Sequence, residues 1–235
     1  MSAATTVYLA MLLGGISLIL WIERVCRSAQ GAEWGAFWLN RLDGLNRLYC
    51  RYFHRMPPVN LRLPQTGAAV VVSNHISGLD PLLMVAASRR PLRFMIAREQ
   101  YERFGLRWLF RGAGCIPVDR ATNPEKALRQ AFKALREGEV VALFPHGKIH
   151  LDSDPPRKIK AGAARLALIT QSPIVPLRIR GVRAQGHIFR PLIQRGEVAI
   201  EVLPVIEPWE GESEALNRLI QRLLDGVPEQ REGGQ

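Results

Sequence analysis

The chain has 235 residues, enough for one domain with an appendage. At 47% hydrophobic and 23% charged it can bury a core, which excludes a disordered chain. Lys and Arg total 32 against 21 acidic residues, a net charge of +11 that favours a polyanionic partner, and three widely spaced cysteines (Cys26, Cys50, Cys115) offer neither a disulfide framework nor a structural zinc site.

Residues 3–22 carry no charged side chain. Twenty helical residues reach about 30 Å, one hydrocarbon core. No charge precedes the run, while Arg24 and Arg27 follow it. A cleaved signal peptide has its basic residues first, so residues 1–27 read as a membrane anchor with the C-terminal flank in the cytoplasm. Across residues 28–58, Trp34, Phe37, Trp38, Leu42, Leu45, Leu48, Tyr49, Tyr52, Phe53 and Met56 recur at three- and four-residue steps, one face of a helix. Arg41, Arg47, Arg51 and Arg55 flank that face. The pattern fits an amphipathic helix in the headgroup layer of an anionic membrane, or a helix packed on its own domain with solvated arginines. No zinc finger, RNP-like strand or compact basic recognition helix supports nucleic acid as the partner.

After Pro57-Pro58 the pattern becomes alternating strands and helices, over an expected domain of residues 59–228 with a polar tail at 229–235. Short apolar runs at 68–73, 93–97, 115–118, 140–144, 174–179 and 198–203 predict strands. Helices are predicted after Asp80-Pro81, after Thr122-Asn123-Pro124 up to Gly138, over 159–171, and around 216–224. That order gives an α/β fold, a largely parallel central sheet flanked by helices. There is no GxxxxGK[ST] loop and no GxSxG elbow, so nucleotide hydrolysis and serine-hydrolase chemistry have no support.

Open α/β sheets place their sites at strand ends, and the segment Ser73-Asn74-His75-Ile76-Ser77-Gly78-Leu79-Asp80 follows a buried strand. A histidine titrating near 6.5 is the natural base at neutral pH, and a carboxylate on its other ring nitrogen fixes the tautomer. Five positions rotate about 500° on a straight helix, so His75 and Asp80 meet only if the chain turns between them, which Ser77-Gly78 permits. Read locally, Asp80 is also a plain helix cap and His75 an ordinary loop histidine.

His75 to Asp80 resembles the HxxxxD motif of the glycerolipid acyltransferases. Gly114-Cys115-Ile116-Pro117-Val118-Asp119-Arg120 is similar to their second motif, Phe144-Pro145-His146-Gly147 to the third, and Ile174-Val175-Pro176-Leu177 to the fourth. The motifs keep the family's order across roughly residues 65–205. By pattern the chain is most similar to the bacterial 1-acylglycerol-3-phosphate acyltransferases. The resemblance implies acyl transfer from acyl-CoA or acyl-carrier protein to a lysophospholipid hydroxyl at the cytoplasmic face of the membrane. His75 and Asp80 would be catalytic. Asn74, Gly114, Arg120, Phe144, Pro145, His146, Gly147, Lys148 and Pro176 would bind substrate, with Arg120 on the acceptor phosphate. Lys160 is a weaker phosphate ligand, equally a solvated lysine in a first helical turn. A thioester is already activated, so no cofactor and no metal are implied.

The third motif departs from the family's FPEGTR. His146 stands in place of the glutamate, and Ile149 in place of the arginine, with Lys148 beside it. These changes touch the acceptor side, leaving another lysolipid, such as a lyso-aminolipid, as an alternative acceptor. They also leave open a non-catalytic lysolipid-binding relative. His146, His150, Asp152 and Asp154 could in principle ligate a metal, but Pro145 and Gly147 argue for a loop without helical ligand spacing. Cys115, in an apolar strand segment, reads as a buried inert thiol.

Overall fold

A computed structural model describes residues 3–226, so the expected tail at 229–235 lies outside the described residues. The chain opens with α1 (Ala3–Ala29) and α2 (Phe37–Leu48), which runs into one π-helical turn at Tyr49–Phe53. The domain then follows as β1 (Ala69–Ser73), α3 (Asp80–Ala87), β2 (Leu92–Ala97), α4 (Arg98–Tyr101), α5 (Arg107–Gly112), β3 (Ile116–Val118) and α6 (Pro124–Arg136). It closes through β4 (Val140–Leu143), α7 (Gly162–Thr170), β5 (Ile174–Arg180), α8 (Arg190–Ile193), β6 (Ala199–Val202) and α9 (Ser213–Asp225).

The six strands form one sheet in the order β3-β2-β4-β1-β5-β6. Every pairing is parallel except β5 with β6. This is the α/β architecture expected from the sequence. The β-branched run of β1 is buried at every position, as a central parallel strand requires. Its side chains alternate between two cores. Ala69 and Val71 pack with Leu79, Leu83 and Met84 from the α3 side, while Val70 and Val72 meet Ala131 of α6, Ala163 and Ala164 of α7, and Ile220 of α9. The predicted strands fall within a residue or two of β1–β6, whereas the short helices α4, α5 and α8 carry no periodic signal and escape the sequence reading.

The N-terminal helices depart further from expectation. Val7–Ala29 is long and apolar enough to cross a membrane by length and composition, and its large apolar side chains are exposed. The single helix expected over 28–58 instead stops being α-helical at Leu48. The π turn takes an extra residue and so turns less per residue, which shifts the helix face: Cys50 and His54 are buried and Tyr52 is exposed. The element ends at Phe53 with His54 after it, and Arg55, in the left-handed region (φ 51°), turns the chain away.

Arg41 and Arg47 are not the solvated arginines that the stripe implies. Arg41 pairs with Glu23 of α1 at 2.6 Å. Arg47 bonds to Asp43 at 2.8 Å and donates to the Ala86, Val85 and Ser88 carbonyls at the C-terminal end of α3. Asp43, almost wholly buried, also accepts the Gly31 and Ala32 N–H groups. A Cβ on Gly44 would lie 1.9 Å from the Cys26 carbonyl oxygen, so glycine is what allows α2 to press against α1.

Replacing Arg47 with Ala removes the cation facing a buried carboxylate and takes a donor from three helix-end carbonyls, of which Val85 alone keeps another, the Ser88 N–H. We expect a loss of about 3 kcal/mol or more in unfolding free energy, read by thermal or denaturant unfolding in detergent. A change below about 0.5 kcal/mol, the range of ordinary surface substitutions, would contradict this account of the joint.

Candidate active site

β1 ends at Ser73, and the chain leaves the C-terminal end of the parallel strands through Asn74 and His75. Residues 76–79 then fold back so that the Asp80 carboxylate lies beneath the turn, fully buried. Its Oδ2 accepts from the Ile76 N–H at 2.7 Å, the Ser77 N–H at 2.8 Å and His75 Nδ1 at 2.9 Å. Its Oδ1 accepts the Ser77 hydroxyl at 2.6 Å. Asp80 begins α3, but its oxygens hold the preceding turn rather than capping the helix's own N–H groups. A carboxylate can only accept, so Nδ1 of His75 carries the proton and Nε2 is left with a free lone pair. The His75 side chain keeps 19% of its surface open to solvent.

Three neighbours fix that turn. Residues 186–188 strap it from outside, with the Gly78 N–H donating to the His187 carbonyl at 3.1 Å and the Gly186 N–H to the Ile76 carbonyl at 2.9 Å. The approach is so close that a Cβ on Gly78 would sit 2.1 Å from the Ile188 carbonyl oxygen. From the other side the His150 N–H donates to the His75 carbonyl at 2.7 Å. Phe144, at the end of β4, stacks on the His75 ring with centroids 4.1 Å apart and planes 15° apart. The imidazole therefore has one face covered and one edge tethered.

A group of cations lies next to the third-motif turn that Phe144 begins. The ε-carbon and Nζ of Lys160 lie 3.0 and 3.1 Å from where a Cβ on Gly147 would be, and the Lys160 N–H donates to the Pro145 carbonyl at 2.9 Å. Burial lowers the Lys160 pKa, and the charges of Arg120 and Arg157 push it the same way. Arg120 follows Asp119, whose carboxylate is taken by Arg98 at 3.1 Å and by the Ala121 and Thr122 N–H groups. Backbone bonding, led by Thr122, holds Asp119 below the usual carboxylate range. The surface ion pair that could have occupied Arg120 is thus made by Arg98 instead. Arg120, Arg157 and Lys160 have no described carboxylate as a partner. Like charges left together and unpaired form an anion-binding arrangement. Arg157 was not singled out from the sequence, where only the basic run at 157–160 could have pointed to it.

This site lies in the stretch of chain that a family model described as Acyltransferase matches, residues 59–180. The chain belongs to the acyltransferase family. It is 24% identical over 173 residues to the 1-acyl-sn-glycerol-3-phosphate acyltransferase of Bacillus subtilis (strain 168), covering 68% of this chain and 83% of that one. It is 30% identical over 137 residues to the N-acylphosphatidylethanolamine synthase of Arabidopsis thaliana, covering 54% and 44%. Against the probable 1-acyl-sn-glycerol-3-phosphate acyltransferase of Mycoplasma pneumoniae it is 34% identical over 131 residues, covering 52% and 47%. The matches thus span about half the length of the Arabidopsis and Mycoplasma relatives. The crystal structure of the 1-acyl-sn-glycerophosphate (LPA) acyltransferase, PlsC, from Thermotoga maritima shares the fold, with a TM-score of 0.65 at 21% identity over 95% of this chain and 90% of that one.

The family motifs do not all converge on His75. Phe144 does, by stacking on the ring, while Pro145 and Gly147 of the same turn meet Lys160 and Lys148 is exposed there. Asn74 is buried, and its amide bridges strands, donating to the Ile179 carbonyl at 3.0 Å and accepting the Ile179 N–H at 2.7 Å. Its expected contact with substrate gives way to holding β1 against β5. Pro176 is buried in β5 opposite Val72, with neighbours on both sides. Gly114 precedes β3, away from the strand ends that carry His75. It is left-handed (φ 66°), and its Cβ position is filled by the Arg93 guanidinium.

His146 is only 3% exposed, and neither ring nitrogen has a hydrogen-bond partner. It stacks on His150 with centroids 4.7 Å apart, so it backs the site rather than facing a substrate. Burial and then the His150 charge lower its pKa, against a weaker opposing pull from Asp225. Among the described residues no group of three or more His, Cys, Asp or Glu is placed to hold a metal. Burial pushes the Cys115 thiol up to about 11, which leaves it protonated and unreactive at neutral pH.

Two outcomes follow from this geometry. Gly78→Ala drives a side chain into fixed backbone, and we expect about 1–3 kcal/mol of destabilisation in thermal unfolding together with lost activity. Unchanged stability and activity would show that the strap is dispensable. His146 is held neutral, with a folded pKa below its unfolded value near 6.5, so its contribution to stability is present above that value and is lost as pH falls below it. His146→Phe keeps the stack and removes the titration, so its melting temperature should fall less between pH 7.5 and pH 5 than that of the parent. An equal fall would assign the acid sensitivity elsewhere, for instance to His54, whose pKa is also lowered by burial.

Proposed function

We propose that the chain is a membrane-bound acyltransferase that moves a fatty acyl group from an acyl-CoA or acyl-carrier-protein thioester to the free hydroxyl of a lysophospholipid. The leading acceptor is 1-acylglycerol-3-phosphate, with phosphatidic acid as product. The observation that carries the reading is the contact of His75 with a fully buried Asp80, at the parallel strand ends of an acyltransferase-family domain.

The steps use this chain's own groups. His75 Nε2 takes the acceptor's hydroxyl proton as that oxygen attacks the thioester carbonyl carbon. Asp80, hydrogen-bonded to Nδ1–H, keeps the tautomer and stabilises the imidazolium that forms. As the tetrahedral intermediate collapses, the carbon–sulfur bond breaks and Nε2 returns the proton to the departing thiolate. The new ester and a free thiol leave, and His75 is neutral again.

Arg120, Lys160 and Arg157 supply the charge for the acceptor's phosphate. The family's third-motif arginine is Ile149 here, so the cations come from the second motif and from the 157–160 run. The membrane-bound part of the reading rests on α1, whose large apolar side chains between Val7 and Ile22 are exposed.

The test is acyl transfer by detergent-purified protein, with each donor, across a panel of lysophospholipids including a lyso-aminolipid. His75→Ala should lower the rate by about 10²–10⁴-fold with folding intact. Arg120→Ala and Lys160→Ala should raise KM for phosphate-bearing acceptors with little change in kcat. Undiminished transfer by His75→Ala would refute the mechanism. Specific lysolipid binding without transfer from any donor would favour the non-catalytic relative instead.

A further inference from the structure

The N-terminal helices do not carry all of the exposed apolar surface. Residues 181–196 hold three arginines (Arg183, Arg190, Arg195) and no acidic residue. Between those arginines Ile188, Phe189 and Ile193 are 41%, 50% and 79% exposed. The charged residues of the segment are all arginines, and the one acidic neighbour in the cleft with Arg183 and Arg195, Glu197, is paired with Arg55. A segment with this many large apolar side chains in the open is neither a core element nor an ordinary solvated loop. α8 and the residues before it are also tied down rather than splayed. The Tyr49 hydroxyl donates to the Leu192 carbonyl, Arg195 donates to the Tyr52 carbonyl at 3.3 Å, and the Arg103 guanidinium lies over the Phe189 ring at 4.5 Å.

These contacts join the segment to the rest of the apolar surface. Tyr49 and Tyr52 follow α2, and Tyr52 is 64% exposed. At the other end of α2, Trp38 meets Trp108 of α5, with ring centroids 4.9 Å apart. Arg103 and the fully exposed Phe104 lie just before Trp108 in the chain. From α2 the path runs through Trp38 and Trp108, back along the chain to Arg103, across to Phe189, and through Leu192 to Tyr49. It is a closed circuit of contacts studded with exposed aromatic side chains.

We infer that residues 183–195 form a second membrane-contact surface, separate from α1, in which Ile188, Phe189 and Ile193 enter the headgroup layer of an anionic bilayer and the flanking arginines meet lipid phosphates. The inference rests on the membrane-bound reading above, and it adds which part of the catalytic domain touches lipid. Charge decides the occupant: guanidinium groups around apolar side chains match anionic lipid, as in interfacial segments generally. Residues 186–188 are also the strap over the His75–Asp80 turn, bonded to it at Gly78 and Ile76. The segment that meets the bilayer is therefore the one holding the catalytic turn closed, which brings the site to the layer from which a lysolipid would arrive.

The experiment uses the full chain in phosphatidylcholine vesicles with and without phosphatidylglycerol. Cys26 and Cys50 are buried, so a Cys115→Ala background accepts a nitrobenzoxadiazole label at Ile193→Cys, with Arg129→Cys on α6 as the control site. Flotation first establishes that the chain is on the vesicles. The expected result is a blue shift of the label at position 193 and loss of its intensity to shallow spin-labelled lipid, with neither at position 129. Both effects should weaken in neutral vesicles and in Arg183→Gln/Arg190→Gln. A chain that floats while the label at 193 behaves like that at 129 overturns this surface alone. Signals at 193 that are indifferent to lipid charge and to the arginine changes overturn the assignment to anionic lipid. A chain that does not float overturns the membrane reading and this surface together.

Discussion

The structure is organised around a carboxylate that has no access to water. A buried ion is tolerated only where hydrogen bonds replace its hydration, and Asp80 has them from two backbone N–H groups, a serine hydroxyl and an imidazole. That requirement dictates the path of the chain. Residues 76–79 must reverse within a few positions so that their N–H groups face back toward the first residue of α3. The reversal in turn needs a glycine where the strap crosses and an apolar floor beneath, provided by Ile76, Leu79 and Leu83. His75 is thus oriented as one of the four donors that Asp80 needs, and its exposed nitrogen is available as a consequence.

The sheet supplies the platform for this arrangement. β1 is central and buried on both faces, so the direction in which it releases the chain is fixed by five paired residues. Asn74 extends that control one residue further by bonding both backbone groups of Ile179. The third-motif turn then closes over the imidazole through Phe144 and the His150 N–H. The histidine in place of the family's glutamate is absorbed behind this layer as a buried neutral ring stacked on His150, while cations reach the same turn from Arg120, Arg157 and Lys160. The departure from the family pattern is therefore confined to the third-motif turn and leaves the His75–Asp80 contact intact.

Much of this could be read from the sequence because it is written in side-chain period and local order. The strands are apolar runs, α6 has an Asn123 cap and a proline start, and His75 and Asp80 are separated by the residues that can turn. What the sequence did not reveal depends on backbone groups brought together from far apart. The strap at 186–188 works through N–H and carbonyl groups and so has no residue signature beyond its glycine. Asn74 looks like a polar site residue until Ile179, 105 positions away, takes its amide. Arg47 fits the flank of an amphipathic stripe until α3 presents its carbonyls to it. Gly114 and Pro176 keep the family's motif positions, yet both serve the sheet. Motif membership marks residues the fold needs as well as those that touch substrate.

The central claim is that His75 and Asp80 act as one catalytic unit, and a double-mutant cycle on acyl-transfer rate tests it most directly. Asp80→Asn is nearly isosteric, so the turn can be checked for intact folding in each variant. If the aspartate works through the imidazole, then once His75 is alanine the further change of Asp80 to asparagine removes nothing more, and the double variant matches His75→Ala. Rate losses that simply multiply, with the double variant slower than His75→Ala by the full Asp80→Asn factor, would show that the two residues act separately and would contradict this account.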